Sequence, residues 1–185
     1  MLKTIEQCGR RFLLAVLNRS ISILSDPKNA QALGLWISAV VAGLVAVGYA
    51  TLFRLAESAF HNIVSATPWA PFAITPLAFL LAWFLVWRYA PSAAGSGIPQ
   101  ILAASELEEK QPGARSAEAL LSMKTATVKV ISSLVGLIGG GAIGREGPTL
   151  QVSASLFYFF SKVTKRFAIQ LSEQTWIIAG SAAGL

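Results

Sequence analysis

The chain has a single cysteine, Cys8, and a single histidine, His61. One cysteine excludes a disulfide framework and any cysteine-clustered zinc or iron–sulfur site, and one histidine excludes a multi-histidine metal centre. No cofactor is expected. Charge is also scarce. Only 13% of the 185 residues are Asp, Glu, Lys or Arg, about half the share usual in soluble domains. So few charges leave no way to coat a soluble enzyme's surface, and a hydrophobic share of 54% is incompatible with disorder. The charge that remains is unbalanced, with 15 basic residues against 9 acidic. Its placement nevertheless argues against nucleic acid as a partner.

Ala30 to Phe53 is a run of 24 residues without a charge. About 20 helical residues, rising roughly 1.5 Å each, cross a hydrocarbon core of roughly 30 Å. A second uncharged stretch runs from Asn62 to Trp87, closed by Arg88, with the apolar core PLAFLLAWFLVW from Pro76 to Trp87. Two such stretches predict a multi-pass membrane protein of the all-α class. Trp36, Trp69, Trp83 and Trp87 fall near the stretch ends, where aromatic rings favour the headgroup layer. Gly43 and Gly48, with Ala39, Ala42, Ala46 and Ala50, predict that the first span packs closely against other helices.

Residues 1–29 read as a separate segment. Lys3, Arg10, Arg11, Arg19 and Lys28 alternate with apolar residues at helical spacing, as in a basic amphipathic helix on a membrane surface. Asn18 and Arg19 interrupt the short run FLLAVL, which disfavours a signal peptide. Five basic residues before the first span put the N-terminus in the cytoplasm, and Arg88 returns to that side. Residues 30–185 form the membrane domain. Its later apolar stretches, Val130 to Gly144 and Gly147 to Ser161, are only 15 residues each. Stretches this short point to broken or re-entrant helices, the usual framework of an ion site at mid-membrane.

Two glycine-flanked motifs stand at the starts of such helices. Gly95-Ser96-Gly97-Ile98-Pro99 combines a turn signal with a proline suited to the first helical turn. Ser96 therefore sits at or just before a helix start. There it serves either as an ordinary cap or as part of an anion site, because a helix N-terminus carries roughly +0.5 charge and free N–H groups. Gly139 to Gly144 lead through Arg145, Glu146, Gly147 and Pro148 into a second apolar helix. Gly144 and Gly147 leave N–H groups uncovered, as in an anion-binding nest. Glu146 is a carboxylate where an anion is favoured. It either pairs with Arg145 or has a functional task, and adjacent residues rarely face each other on a helix. Gly139, Gly141 and Gly144 also satisfy G-x-G-x-x-G, but no strand precedes them and no acidic residue follows at about 20 positions. A dinucleotide site is rejected.

Two helix N-termini aimed at one point bind a small anion moderately, through partial charges, so that the ion can also leave. Glu146 then fits a gate: ionised it occupies the anion position, and protonated it vacates it and carries a proton. Lys129 lies 17 residues earlier in an otherwise apolar stretch. It either raises the potential along the pathway or snorkels to the interface. No nucleophile–base spacing supports an enzyme. A pore-free scaffold, with glycines serving only helix packing, is the main rival reading.

GSGIP at 95–99 and GREGP at 144–148 resemble the first two filter motifs of the CLC chloride channels and proton/chloride antiporters, and the run from Ala179 to Leu185 resembles the segment opening that family's next helices. The resemblance covers about Ala30 to Leu185. It implies an anion channel or proton/chloride exchanger, with chloride and protons as partners, homodimeric in the full-length protein and multi-pass in a bacterial inner membrane. Residues 95–99 and 144–148 would form the chloride-binding filter, Ser96 giving its hydroxyl to a central site. Glu146 would be the gate and extracellular-side proton acceptor, with Lys129 supporting the potential. Family members have two inverted halves, and this sequence corresponds to the first. It lacks the later filter segment, the pore tyrosine and the inner glutamate of proton-coupled members. Gln100 stands where glutamate often follows GSGIP.

Overall fold

The structure is a computed structural model that describes residues 27–113, 115–165 and 171–184. The amphipathic segment expected over 1–29 lies almost wholly outside them. The described residues form α1 (Pro27–Ala66), α2 (Pro71–Tyr89), a 3-10 turn (Pro91–Ala93), α3 (Ile98–Lys110), α4 (Arg115–Leu120), α5 (Met123–Ile138), α6 (Glu146–Thr164) and α7 (Glu173–Ala183). They contain no strand. Three helical stretches are long and apolar enough to cross a membrane: Gln31–Ala66, Pro71–Tyr89 and Arg115–Ile138. The protein is an all-α integral membrane protein.

The boundaries follow local chemistry. α1 does not stop at Phe53, where the uncharged run ends. It continues through Arg54 and Glu57, both exposed, for 40 residues in all, about 60 Å at the usual rise. Charges on an exposed face do not break a helix; prolines do. Pro68 and Pro71 flank the turn at 67–70, where Ala70 N–H donates to Thr67 O at 3.0 Å, and Pro71 opens α2. The second uncharged stretch is thus the last turn of α1, a tight turn and α2. The third spanning stretch is broken at Leu121-Ser122. Ser122 caps α5 by accepting from Thr125 N–H at 3.1 Å, which satisfies one of the orphan donors of a helix start.

α6 is the centre of the packing. It lies against α1, α3, α5 and α7, and every residue from Gln151 to Tyr158 is buried. One apolar cluster joins Ile101, Ala104, Ala117, Leu121, Ala154, Tyr158 and Ile177. A second joins Ala42, Ala126, Val152, Leu156, Phe157 and Trp176. Tyr49 on α1 and Ser133 on α5 add a buried hydroxyl–hydroxyl contact at 3.0 Å. α7 approaches α6 backbone to backbone: a Cβ on Gly180 would stand 2.9 Å from Ala154 Cα and 2.7 Å from Phe157 Cβ. α3 and α7, with 13 and 11 residues, are too short to span. The two short stretches singled out in the sequence fall in α5, of 16 residues, and α6, of 19.

One sequence expectation is corrected. Gly43 and Gly48 make no close packing contact with the described residues, since a Cβ at either would meet nothing within 4 Å. Ala42, another of the small residues expected to pack, is on the packed face with Ser38, Tyr49 and Ala56, all buried and sharing one side of the helix. α2 buries no residue, and its aromatic residues Trp83 and Trp87 stack in the open with centroids 5.7 Å apart.

These contrasts give a direct test. Gly180→Ala drives a methyl into the α6 backbone and should destabilise by about 1–3 kcal/mol. Gly43→Ala enters open space and should be neutral or stabilising by up to about 1 kcal/mol. Thermal unfolding in detergent, followed by fluorescence of the buried Trp176, measures both. Equal effects would contradict the packing described.

Candidate anion site

The 3-10 turn after α2 delivers the chain into Ala94-Gly95-Ser96-Gly97. Gly95 and Gly97 take positive φ angles of 78° and 104°, backbone that side chains other than glycine adopt poorly. Gly97 is the cap residue of α3, and no side chain caps that helix. Ser96 stands just before it, so plain capping is not its role. The bend lets this loop touch the start of α6. A Cβ on Gly97 would lie 2.9 Å from Gly147 O and 2.9 Å from Gln151 Cβ, and a Cβ on Gly147 would collide with the Ser96 carbonyl oxygen. The two sequence motifs, about 50 positions apart, are therefore in backbone contact. Only glycine at 97 and 147 permits that approach.

Gly95, Ser96, Lys129, Gly144, Arg145, Glu146, Gly147 and Pro148 line one cavity of about 870 Å³, with Ser132 and Ser133 of α5 and Trp83 of α2 on other walls. Gly97, Ile98 and Pro99 do not line it; they form the bend and first turn behind Ser96. α6 begins at Glu146, and no side chain caps it. The N–H groups of Glu146 and Gly147 belong to the four that have no partner inside the helix. Ile98 and Gln100 N–H stand in the same position at the start of α3. Ser96 and Glu146 are both exposed toward the cavity. Arg145 makes no ion pair with Glu146: among the described residues the salt bridges are Lys162–Glu118 and Lys165–Glu173. The Arg145 carbonyl instead accepts from the Thr149 hydroxyl at 2.7 Å.

Lys129 does not snorkel. It is buried, and its ammonium donates to Ala93 O at 2.9 Å and to Gly95 O. The Gln100 amide donates to Ala94 O. Three successive carbonyls of the loop are thus held by donors, which fixes the plane of the peptides around Ser96. A glutamate at position 100 has no donor when ionised; the neutral glutamine takes part in the clamp because its amide does. Gln151, fully buried on α6, donates to Ser92 O at 3.4 Å and Leu120 O at 3.3 Å. Sequence reading passed over Gln151, Ser132 and Ser133. The available signal was a glutamine within the apolar stretch 147–161, which is costly unless hydrogen-bonded.

Comparison with known proteins gives the family. The family model described as voltage gated chloride channel matches residues 77–185. The chain belongs to the voltage-gated chloride channel, or CLC, family. Curated relatives include the H(+)/Cl(-) exchange transporters ClcA of Salmonella arizonae and Salmonella newport, each 36% identical over 121 residues. That alignment covers 62% of this chain and 24% of each relative. The chain thus matches about a quarter of the length of these CLC proteins.

Lys129→Met removes the donor shared by the Ala93 and Gly95 carbonyls. Hydrogen bonds to a charged group contribute about 1.5–3 kcal/mol each, so amide exchange across residues 93–97 should accelerate at least tenfold. Exchange measured by mass spectrometry checks this. Unchanged protection would show that the lysine does not hold the loop.

Proposed function

We propose that this chain supplies the first half of a chloride pathway, in which the N-termini of α3 and α6 hold the anion beside Ser96 and Glu146 gates it. The observation that carries the reading is the contact between the two glycine bends. It sets the uncapped start of α6 on one cavity with Ser96, while the uncapped start of α3 stands directly behind Ser96. An anion there meets partial positive charges and a hydroxyl donor. Lys129 also lines the cavity and adds its charge, with two of its three N–H donors held by the Ala93 and Gly95 carbonyls. Residues 95–99 and 144–148 act as the filter, the former through the bend and the latter through the exposed N–H groups. Glu146, at the first position of α6, competes for the anion when ionised and carries a proton when neutral. The ClcA relatives are exchange transporters by name, which supports coupling of chloride to protons.

The membrane side follows from charge. α3 and α6 run side by side away from the cavity, since Glu108 near the end of α3 meets Tyr158 late in α6. Lys110 closes α3, and Lys162 and Lys165 stand at the end of α6. The positive-inside rule makes it cytoplasmic, in keeping with a cytoplasmic N-terminus, a bacterial inner membrane and an assembled homodimer of the longer protein. A scaffold without a pore is disfavoured, because tight helix packing alone has no use for Glu146 on a cavity wall.

The test is chloride efflux from liposomes, recorded with external pH, for the complete protein that carries this sequence. Chloride flux with opposite proton movement indicates exchange, and flux alone indicates a channel. Glu146→Ala should abolish the pH dependence and any proton coupling while anion flux persists. Ser96→Ala should change the chloride-to-nitrate preference. A Glu146→Ala variant with normal pH dependence, or a folded protein with no anion flux, would overturn the reading.

A further inference from the structure

At the end of α3 remote from the cavity, two carboxyl groups are buried together. Glu108 lies ten positions past Ile98, the first residue of α3, about 15 Å along the helix. Glu108 is 4% exposed, and Glu173, at the start of α7, is 6% exposed. Glu108 accepts from the Tyr158 hydroxyl at 3.1 Å and from Gly113 N–H at 2.8 Å. Glu173 accepts from Lys165 through one oxygen only. Its other oxygen, Oε2, is fully buried and has no hydrogen-bond partner among the described residues. The two carboxyl groups line one cavity.

Two ionised carboxylates in that position would repel and leave Oε2 of Glu173 without a donor, a costly arrangement for a buried oxygen. A single proton removes both problems. We propose that Glu108 and Glu173 share one proton, Glu108 carrying it and donating to Glu173 Oε2, so that the α3–α6–α7 junction is a proton-binding site separate from Glu146. The site takes up one proton from water at that end of the molecule, and the pair goes from two negative charges to one. The surrounding charges fit this division. Lys165 faces Glu173 directly, which holds that carboxylate ionised. α6 presents Tyr158 and Lys162, the latter 4.9 Å over the Tyr158 ring and paired with Glu118 of α4 at 2.8 Å. Glu109, adjacent on α3, accepts from Gln174 at 3.4 Å. Burial pushes Glu108 above the ordinary carboxylate range, and the neighbouring Glu173 adds to the rise against the opposing pull of Gly113 N–H and Tyr158. Burial also raises Glu173, but Lys165 and the Glu108 hydrogen bond outweigh it and bring that group below its ordinary value. A raised group stabilises the fold fully below the ordinary carboxylate range and loses that contribution as pH rises through its folded value. A rise in pH through that value therefore loosens the clasp between α3 and α7.

The inference is independent of what the Ser96–Glu146 cavity carries, and its test does not read transport. Infrared difference spectroscopy of the complete protein in lipid vesicles, through a pH titration, reports the C=O stretch of a protonated carboxyl. The proposal expects a band that survives above the pH where an exposed glutamate ionises and that Glu108→Gln removes. Glu173→Gln deletes the like charge, so the remaining band should titrate about one pH unit lower. Tyr158→Phe deletes a donor that favours the ionised form, so its band should titrate higher. These opposite shifts distinguish a shared proton from general loosening, and they decide the matter even if Glu108→Gln does not fold. A band indifferent to Glu108→Gln, or midpoints that move the same way in Glu173→Gln and Tyr158→Phe, would overturn the proposal.

Discussion

The contact between the Ser96 carbonyl and Gly147 is the constraint on which the arrangement of the cavity depends. It is a backbone-to-backbone approach that no Cβ at 147 could share, reinforced by the same exclusion at Gly97. Hydrophobic burial elsewhere brings α3 and α6 together, but only this approach sets Ser96 and the start of α6 on one wall. Partial charges at helix ends fade within about one turn, so a displacement of a few ångströms would dissolve a shared anion site. The Lys129 and Gln100 clamps on the loop carbonyls hold the same geometry from behind.

The packing explains why a largely buried α6 can carry so many polar residues. Gln151, Ser153 and Ser155 sit among apolar neighbours on a helix buried on all sides. Small hydroxyls allow close approach, as Gly180 does from α7. The long exposed faces of α1 and α2 are the opposite case. They carry Trp36, Leu44, Val47, Phe72, Leu77 and Trp83 to the surface of the described chain, as expected of helices that meet lipid or further protein in a membrane.

Much of this was legible in the sequence. Run length and charge placement gave the class and two of the spans, because hydrocarbon thickness acts on composition directly. The glycine motifs gave the cavity residues from Gly95 to Ser96 and Gly144 to Pro148, because the need for bare backbone is written as glycine. Other features were not legible. The extension of α1 past Arg54 was hidden because an exposed charge and a helix end look alike in a charge plot. Of the small residues expected to pack on α1, Ala42 is buried and Gly43 and Gly48 are not, since small residues announce the possibility of contact and only the partner helix decides it. The roles of Lys129, Gln100 and Gln151 depend on carbonyls 93, 94, 95, 92 and 120, and no local pattern encodes which remote carbonyl a side chain will reach. Glu108 and Glu173 meet across 65 positions for the same reason.

The proposed anion site is tested most directly by locating the anion. Crystals of the complete protein soaked in bromide and measured at the bromine absorption edge give the ion's position without reference to any activity. The account predicts an anomalous peak in the cavity between Ser96 and the N-terminus of α6, within hydrogen-bonding distance of their donors. A well-ordered cavity with no peak there, or bromide bound only elsewhere, would contradict it.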